Sequence, residues 1–132
     1  MNYLVDTQVF LWVILSPKKI TKRVKEILLD DEKTKQVSTV TFWEISLKFS
    51  LGKIDLKGIL PDNLPAIADK TGFEILNLDA QTVSSFHRLP KTNHKDPFDR
   101  MLAWQAINQD CILLTSDKQF SSYKEFGLEV VW

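Results

Sequence analysis

Tyr3-Leu4-Val5-Asp6-Thr7-Gln8-Val9-Phe10-Leu11-Trp12 passes, within a few residues, from a short apolar run suited to a buried strand into a helix-like stretch. Asp6 stands at the junction, where a carboxylate can cap a helix running from about Thr7 to Leu15, and Ser16-Pro17 ends it. The same passage recurs along the chain. Val37-Ser38-Thr39-Val40 is β-branched and reads as a second strand, followed by a helix from Phe42 to Leu51 that Gly52 stops. Phe73 to Leu76 reads as a third strand before a helix from Asp79 to Arg88. Ile112 to Leu114 reads as a fourth, before a short helical turn from Lys118 to Tyr123 and a last strand from Leu128 to Trp132. Further helices are expected over Lys18–Glu32, Asp62–Thr71 and Pro97 to about Asn108, the last with proline at its first position. Strands alternating with helices predict an α/β fold with a parallel sheet and right-handed crossovers.

The chain of 132 residues is expected to form a single domain over 1–132, long enough to bury a core. A formal net charge of zero provides no global field for nucleic acid, so any such partner must be held by a local basic patch. Cys111 is the only cysteine; no internal disulfide can form, and a buried thiol in a reducing compartment is expected. The apolar stretch Val9–Leu15 is too short to cross a bilayer and follows no basic leader region, so a cytoplasmic location with no membrane association is expected.

Four acids mark strand-to-helix or helix-start positions: Asp6, Glu44 in Thr41-Phe42-Trp43-Glu44, Asp99 in Asp96-Pro97-Phe98-Asp99-Arg100, and Asp117 in Leu113-Leu114-Thr115-Ser116-Asp117. Residues leaving the carboxyl ends of parallel strands converge on one rim of the sheet, where such folds bind ligands. Carboxylates brought together there repel one another unless cations sit between them. A divalent metal held by oxygen ligands points in turn to phosphate chemistry. Each acid also has a purely structural reading. Asp6 and Asp117 are natural N-caps, Thr41-x-x-Glu44 has the form of a capping box, and Asp96-Pro97-x-Asp99 is a helix start in its own right. The two readings are compatible, because a capping acid on that rim can also face a cation. Asp79 follows a strand as well and reads as a cap alone.

A zinc site is disfavoured by one cysteine and two scattered histidines, His87 and His94, which read as surface or loop residues. The four separate glycines form no phosphate-binding loop, which argues against a nucleotide-driven switch. Arg100, Lys95, His94, Lys91 and Arg88 flank the Asp96–Asp99 segment and could steer phosphates, with Lys48 and Lys53 nearby; Lys48 has the alternative of pairing with Glu44 one turn back. The Phe42–Leu51 helix carries more apolar residues than one core-facing stripe requires, which fits either an interface or burial on both sides.

Four segments together resemble PIN-domain proteins, and most closely the VapC-type toxins of bacterial toxin–antitoxin modules. They are Leu4-Val5-Asp6-Thr7, Thr41-Phe42-Trp43-Glu44-Ile45 with Lys48, Gly52 and Lys53, His94-Lys95-Asp96-Pro97-Phe98-Asp99-Arg100, and Leu114-Thr115-Ser116-Asp117 with Phe120. The resemblance runs from the first strand to the last. It implies a three-layer fold with a five-stranded parallel sheet flanked by helices, a Mg²⁺- or Mn²⁺-dependent endoribonuclease, a cognate antitoxin and a homodimer. It assigns the catalytic, metal-holding acids to Asp6, Glu44, Asp99 and Asp117, with Asp96 beside them, and auxiliary roles to Thr7 and to Thr115 or Ser116. RNA would be cut at single-stranded segments, whose unstacked bases leave the backbone accessible. Competing expectations are a receiver-like phosphoacceptor domain, a non-catalytic RNA-binding module, and a nuclease directed at DNA.

Overall fold

The central strand β1 (Asn2–Val5) explains the rest of the architecture, since its side chains alternate between two separate cores. In the computed structural model, which describes Met1–Trp132, β1 pairs in parallel with β2 (Thr34–Ser38) on one side and β4 (Cys111–Leu114) on the other. β3 (Glu74–Leu76) and β5 (Glu129–Val131) complete a five-stranded parallel sheet in the order β3-β2-β1-β4-β5. All four residues of β4 are buried, as befits a strand covered on both faces, whereas the edge strands β3 and β5 have no fully buried residue. Tyr3, Val5, Ile112 and Leu114 face one core; Leu4, Cys111 and Leu113 face the other.

The first core is closed by α1 (Thr7–Leu15), α2 (Lys22–Leu29) and α4 (Leu64–Lys70). Phe10 sits at its centre, with its ring edge-to-face against Phe42 and Phe73 at 5.8 and 5.7 Å. The second core lies under α6 (Pro97–Gln109) and the 3-10 segment Lys118–Phe126, which contributes Phe120 and Tyr123, both fully buried. α3 (Thr39–Ser50) straddles the two, placing Ile45 in the first core and Val40 in the second. α5 (Ala80–Ser84) follows β3 and is short. No helix is long and apolar enough to cross a membrane.

Several element boundaries differ from those expected, each for a physical reason. The strand expected through Val40 ends at Ser38, whose hydroxyl accepts from the Val40 N–H and caps α3. Thr41 and Glu44 therefore lie inside the helix and form no capping box; the Thr41 hydroxyl instead meets that of Thr7 at 3.1 Å in a buried pair. The expected helix over Lys18–Glu32 is divided into a 3-10 turn at Pro17–Lys19 and α2, because the Thr21 hydroxyl caps the second piece at the Val24 N–H. The helix expected from Asp79 to Arg88 stops at Ser84, and Phe86–Arg88 continues as a 3-10 turn. The turn expected to end at Tyr123 runs on to Phe126, where Gly127 at φ 102° terminates it in a left-handed conformation that glycine adopts without strain. The strand order also departs from the 2-1-3-4-5 order of receiver-type sheets, which removes the topological basis for that alternative.

Candidate metal centre

Register brings the acids together. Val5 pairs with Leu114, so the chain leaves the sheet at Asp6 and at Thr115 side by side. The Asp6 N–H donates to Leu114 O at 3.1 Å, and the Thr115 N–H donates to Val131 O at 3.1 Å. Asp6 caps α1: its Oδ1 accepts from the Val9 N–H at 2.7 Å, while the Thr115 hydroxyl donates to its Oδ2 at 2.5 Å. The same Thr115 oxygen accepts from the Asp117 N–H at 3.0 Å, so one buried hydroxyl ties the two acids to a common point. Asp117 caps the 3-10 segment through the Gln119 N–H. Asp96 caps α6, accepting from the Asp99 N–H at 3.0 Å, with Pro97 in the first helical position where no N–H is needed.

Asp6, Glu44, Asp96, Asp99 and Asp117 line one cleft of about 420 Å³, together with Thr7, Ser116, Lys48 and Lys53. The local capping reading and the shared-cleft reading thus hold for the same aspartates. The crowding has an electrostatic signature. Burial pushes the Asp6 carboxyl up to about 7, against the pull of the Thr115 hydroxyl and the Val9 N–H and with added repulsion from Asp99 and Asp117. Burial likewise raises Asp99 to about 6, helped by Asp96 and Glu44 and opposed by the hydrogen bond from His94. Glu44 is buried; its Oε2 accepts from Lys48 Nζ at 2.5 Å, and its Oε1 has no partner. Burial alone would pull Lys48 down, but the hydrogen bond and charge of Glu44, with Asp96 and Asp99, hold it above the ordinary lysine value.

This donor set fits a hard divalent cation. It is rich in carboxylate oxygens, one of them buried and unpartnered, and in two of its members burial, with added repulsion from neighbouring acids, disfavours the ionised form without a counter-charge. Asp6, Glu44, Asp96, Asp99 and Asp117 all line the cleft, and the side chains that offer ligand atoms within 4.8 Å of one another are His94, Asp99 and Asp117.

His94 corrects an expectation. It lies in a loop, but not at the surface: it is 3% exposed, with its Nε2 3.0 Å from Asp99 Oδ2 and 4.0 Å from Asp117 Oδ2. Its ring packs edge-to-face on Phe120 at 4.7 Å, which is why a histidine from a polar stretch is buried here. The basic residues divide. Lys48 lines the cleft while paired with Glu44, and Lys53 lines it from the loop after α3. Lys95, Lys91 and Arg88 are exposed and outside the cleft lining. The Arg100 guanidinium is turned away, donating to Leu89 O, Pro90 O and the Tyr123 hydroxyl and lying over the Phe86 ring. Asp79 caps α5 through the Thr82 N–H and is absent from the cleft lining.

The apolar excess of α3 is exposed: Trp43 is 63% and Leu51 58% accessible, with Leu47 and Phe49 partly so. Burial on both sides is therefore excluded within this chain, although Trp43 retains an edge-to-face contact with Phe98 at 5.0 Å.

Comparison with known proteins follows the same lines. The PIN domain family matches residues 3–125. VapBC2 from Rickettsia felis, solved bound to a DNA fragment of its promoter, superposes with a TM-score of 0.68 at 18% identity, covering 99% of this chain and 98% of that one. VapBC-1 from nontypeable Haemophilus influenzae gives 0.66 at 18% identity with 99% and 97% covered, and DNA-bound VapBC from Salmonella typhimurium gives 0.61 at 18% with 99% and 97%. No curated protein matches the chain by sequence.

Proposed function

The chain belongs to the PIN domain family, and from that premise we propose that it is a Mg²⁺- or Mn²⁺-dependent endoribonuclease acting as the toxin of a toxin–antitoxin pair. The observation that carries the reading is the convergence of Asp6, Glu44, Asp96, Asp99 and Asp117 on a single cleft at the carboxyl ends of β1 and β4. When bound there, a divalent cation supplies Lewis acidity for the phosphoryl oxygens and activation of water without any histidine base.

The protein's own groups have separable tasks in that scheme. Asp6, Asp99, Asp117 and Glu44 hold the ion, while Thr115 keeps Asp6 and the Asp117 backbone at a fixed separation through its single hydroxyl. Lys48 neutralises one Glu44 oxygen and leaves the other unpartnered, and Lys48 and Lys53 oppose the negative potential that would otherwise repel a phosphodiester. Water attacks phosphorus as the bond to the 3′-oxygen breaks and that oxygen takes up a proton, which leaves 5′-phosphate and 3′-hydroxyl ends. Single-stranded RNA is the substrate class this supports, since its backbone can approach a recessed site without a stacked partner strand.

The partner belongs to the same proposal. Trp43 and Leu47 on α3 and Leu51 at its C-cap lie four residues apart and form an exposed apolar stripe beside the acidic cleft, which suits an apolar segment of an antitoxin. Homodimerisation and a cytoplasmic setting are carried over with the toxin reading. The test uses single strands of RNA and DNA of one sequence, each with Mg²⁺, together with expression of the chain alone and with the product of its neighbouring gene. The expected result is cleavage of RNA only, growth arrest by the chain alone, relief by the partner, and no arrest by Asp6→Asn. Preferential cleavage of DNA would overturn the substrate; arrest by Asp6→Asn would overturn the link between toxicity and the cleft.

A further inference from the structure

His94 is held at the acidic centre by contacts within its own loop and by Arg100 and Tyr123 from other elements. The loop carrying it is clamped from three sides. The His94 N–H donates to the Thr92 hydroxyl at 3.1 Å, and its carbonyl accepts from the Tyr123 hydroxyl at 3.3 Å. That tyrosine in turn accepts from Arg100 Nη1 at 3.2 Å, and the same guanidinium donates to Leu89 O and Pro90 O at the start of the loop. Arg100 follows Asp99 in the chain, so the helix turn that presents Asp99 also anchors the loop that returns a donor to it. The His94 ring is then fixed between the edge of Phe120 at 4.7 Å and the tilted ring of Tyr123 at 5.7 Å.

The orientation of the ring has a chemical consequence. An ionised carboxylate only accepts hydrogen bonds, so the 3.0 Å contact to Asp99 Oδ2 requires the proton on Nε2. Nδ1 is buried without a partner, and a second proton there would be an unpaired buried donor. The geometry therefore turns Nε2 toward Asp99 and leaves Nδ1 buried without a partner. Asp99 needs such a donor. Its neighbours Asp96 and Glu44 repel it, and its side chain is 24% exposed. At 4.0 Å the Asp117 oxygen lies beyond hydrogen-bond reach, so the restraint acts on Asp99 alone.

Resting on the metal-dependent reading above, we propose that His94 is a positioning residue: its Nε2–H sets the Asp99 carboxylate in the orientation that receives a divalent cation, and the imidazole is not itself a ligand. Partners that orient a metal ligand are typically worth about 10–100-fold in affinity. The test is Mn²⁺ binding to the full chain, freed of metal, followed by the paramagnetic resonance of free and bound ion, with thermal melting in parallel. His94→Gln places an amide nitrogen near the Nε2 position and is expected to bind close to wild type. His94→Asn carries the same amide on a shorter arm and is expected to lose about 10–100-fold, as is His94→Phe. Because glutamine and asparagine variants disturb the buried site alike, the contrast between them survives even if the phenylalanine variant fails to fold. Equal affinity in His94→Gln and His94→Asn would overturn the proposal, and so would nitrogen hyperfine coupling from an imidazole bound to Mn²⁺ in the wild type. Wild-type protein that binds no Mn²⁺ would overturn the metal reading and this inference with it, whereas tight wild-type binding retained by His94→Asn overturns this inference alone.

Discussion

Asp6 and Asp79 occupy the same local position and have opposite chemistry. Each follows a parallel strand, each caps the helix after it, and each accepts the N–H three residues on at 2.7 Å. Asp6 leaves the central strand, is 4% exposed, and is pushed up to about 7 by burial. Asp79 leaves the edge strand β3 into solvent, and its backbone and side-chain hydrogen bonds at Thr82 hold it below the ordinary carboxylate value. The capping interaction is therefore the same in both, and the difference comes from where the strand lies in the sheet. Only a strand with neighbours on both sides delivers its terminal acid into a rim crowded by others.

The comparison fails most visibly if neutralising the buried acid is harmless. Asp6→Asn and Asp99→Asn are each expected to lower RNA cleavage by about 10³-fold or more, the upper range for loss of one group acting on developing charge. Single-turnover cleavage with Mn²⁺ supplied checks this, and a near wild-type rate in either variant removes that residue from the centre.

Proton linkage separates the two aspartates next. Folded-state values of about 7 for Asp6 and about 6 for Asp99 exceed the unfolded value of 3.8, so the native metal-free chain binds the extra protons. Their contribution to stability is full below the unfolded value and is lost as pH rises through about 6 to 7. For Asp6, a shift of roughly three units at about 1.4 kcal/mol each puts the loss on the order of 4 kcal/mol. Asp79 has the opposite sign: its contribution is present above the unfolded value and is lost only as pH falls below it. Denaturant unfolding of the metal-free protein across this range should show stability falling with pH in wild type and a much flatter profile in Asp6→Asn. Saturating Mn²⁺ should restore stability on the alkaline side, because the cation binds the ionised carboxylates.

A smaller effect is expected at Thr115, whose hydroxyl joins Asp6 to the Asp117 backbone. Thr115→Val should lower cleavage by about 10–100-fold, while Thr115→Ser, which keeps the hydroxyl, should remain close to wild type. An unaffected valine variant would show that the hydroxyl does not organise the acids. The smallest change belongs to Asp79→Asn. Asparagine caps as well as aspartate, so both the rate and the melting temperature should stay near wild type. Loss of cleavage there would erase the distinction between edge and centre.

The order of elements is legible in the chain because strands buried on both faces, such as Cys111–Leu114, read as unbroken apolar runs between helices. The acidic centre is legible for a related reason: Asp6 and Asp117 stand at strand-to-helix turns, and topology brings such turns to one rim. What local sequence hides is decided by distant contacts. Val40 has the β-branched side chain of a strand residue, yet the second core accepts it from a helix, and Ser38 rather than Thr41 supplies the cap. His94 lies in the polar run Lys91-Thr92-Asn93-His94-Lys95, and its burial comes from Phe120 and Tyr123 beyond the next helix and strand. Arg100 has the charge to steer a phosphate, but loop carbonyls and a tyrosine hydroxyl take up its guanidinium. Neither pairing leaves a periodic trace in the chain.

The central claim, that the Asp6 cleft performs hydrolysis through a carboxylate-held divalent cation, is tested most directly by end analysis of RNA cleaved in parallel with EDTA, Mg²⁺, Mn²⁺ or Ca²⁺. A set of hard oxygen donors favours six-coordinate Mg²⁺ or Mn²⁺ over the looser geometry of Ca²⁺. The account predicts no cleavage in EDTA, recovery with Mn²⁺ at least as strong as with Mg²⁺, little turnover with Ca²⁺, and products bearing 5′-phosphate ends. Cleavage that persists in EDTA and leaves cyclic phosphates would contradict it, because the RNA 2′-hydroxyl would then be the nucleophile and the acidic cleft would have no cation to hold.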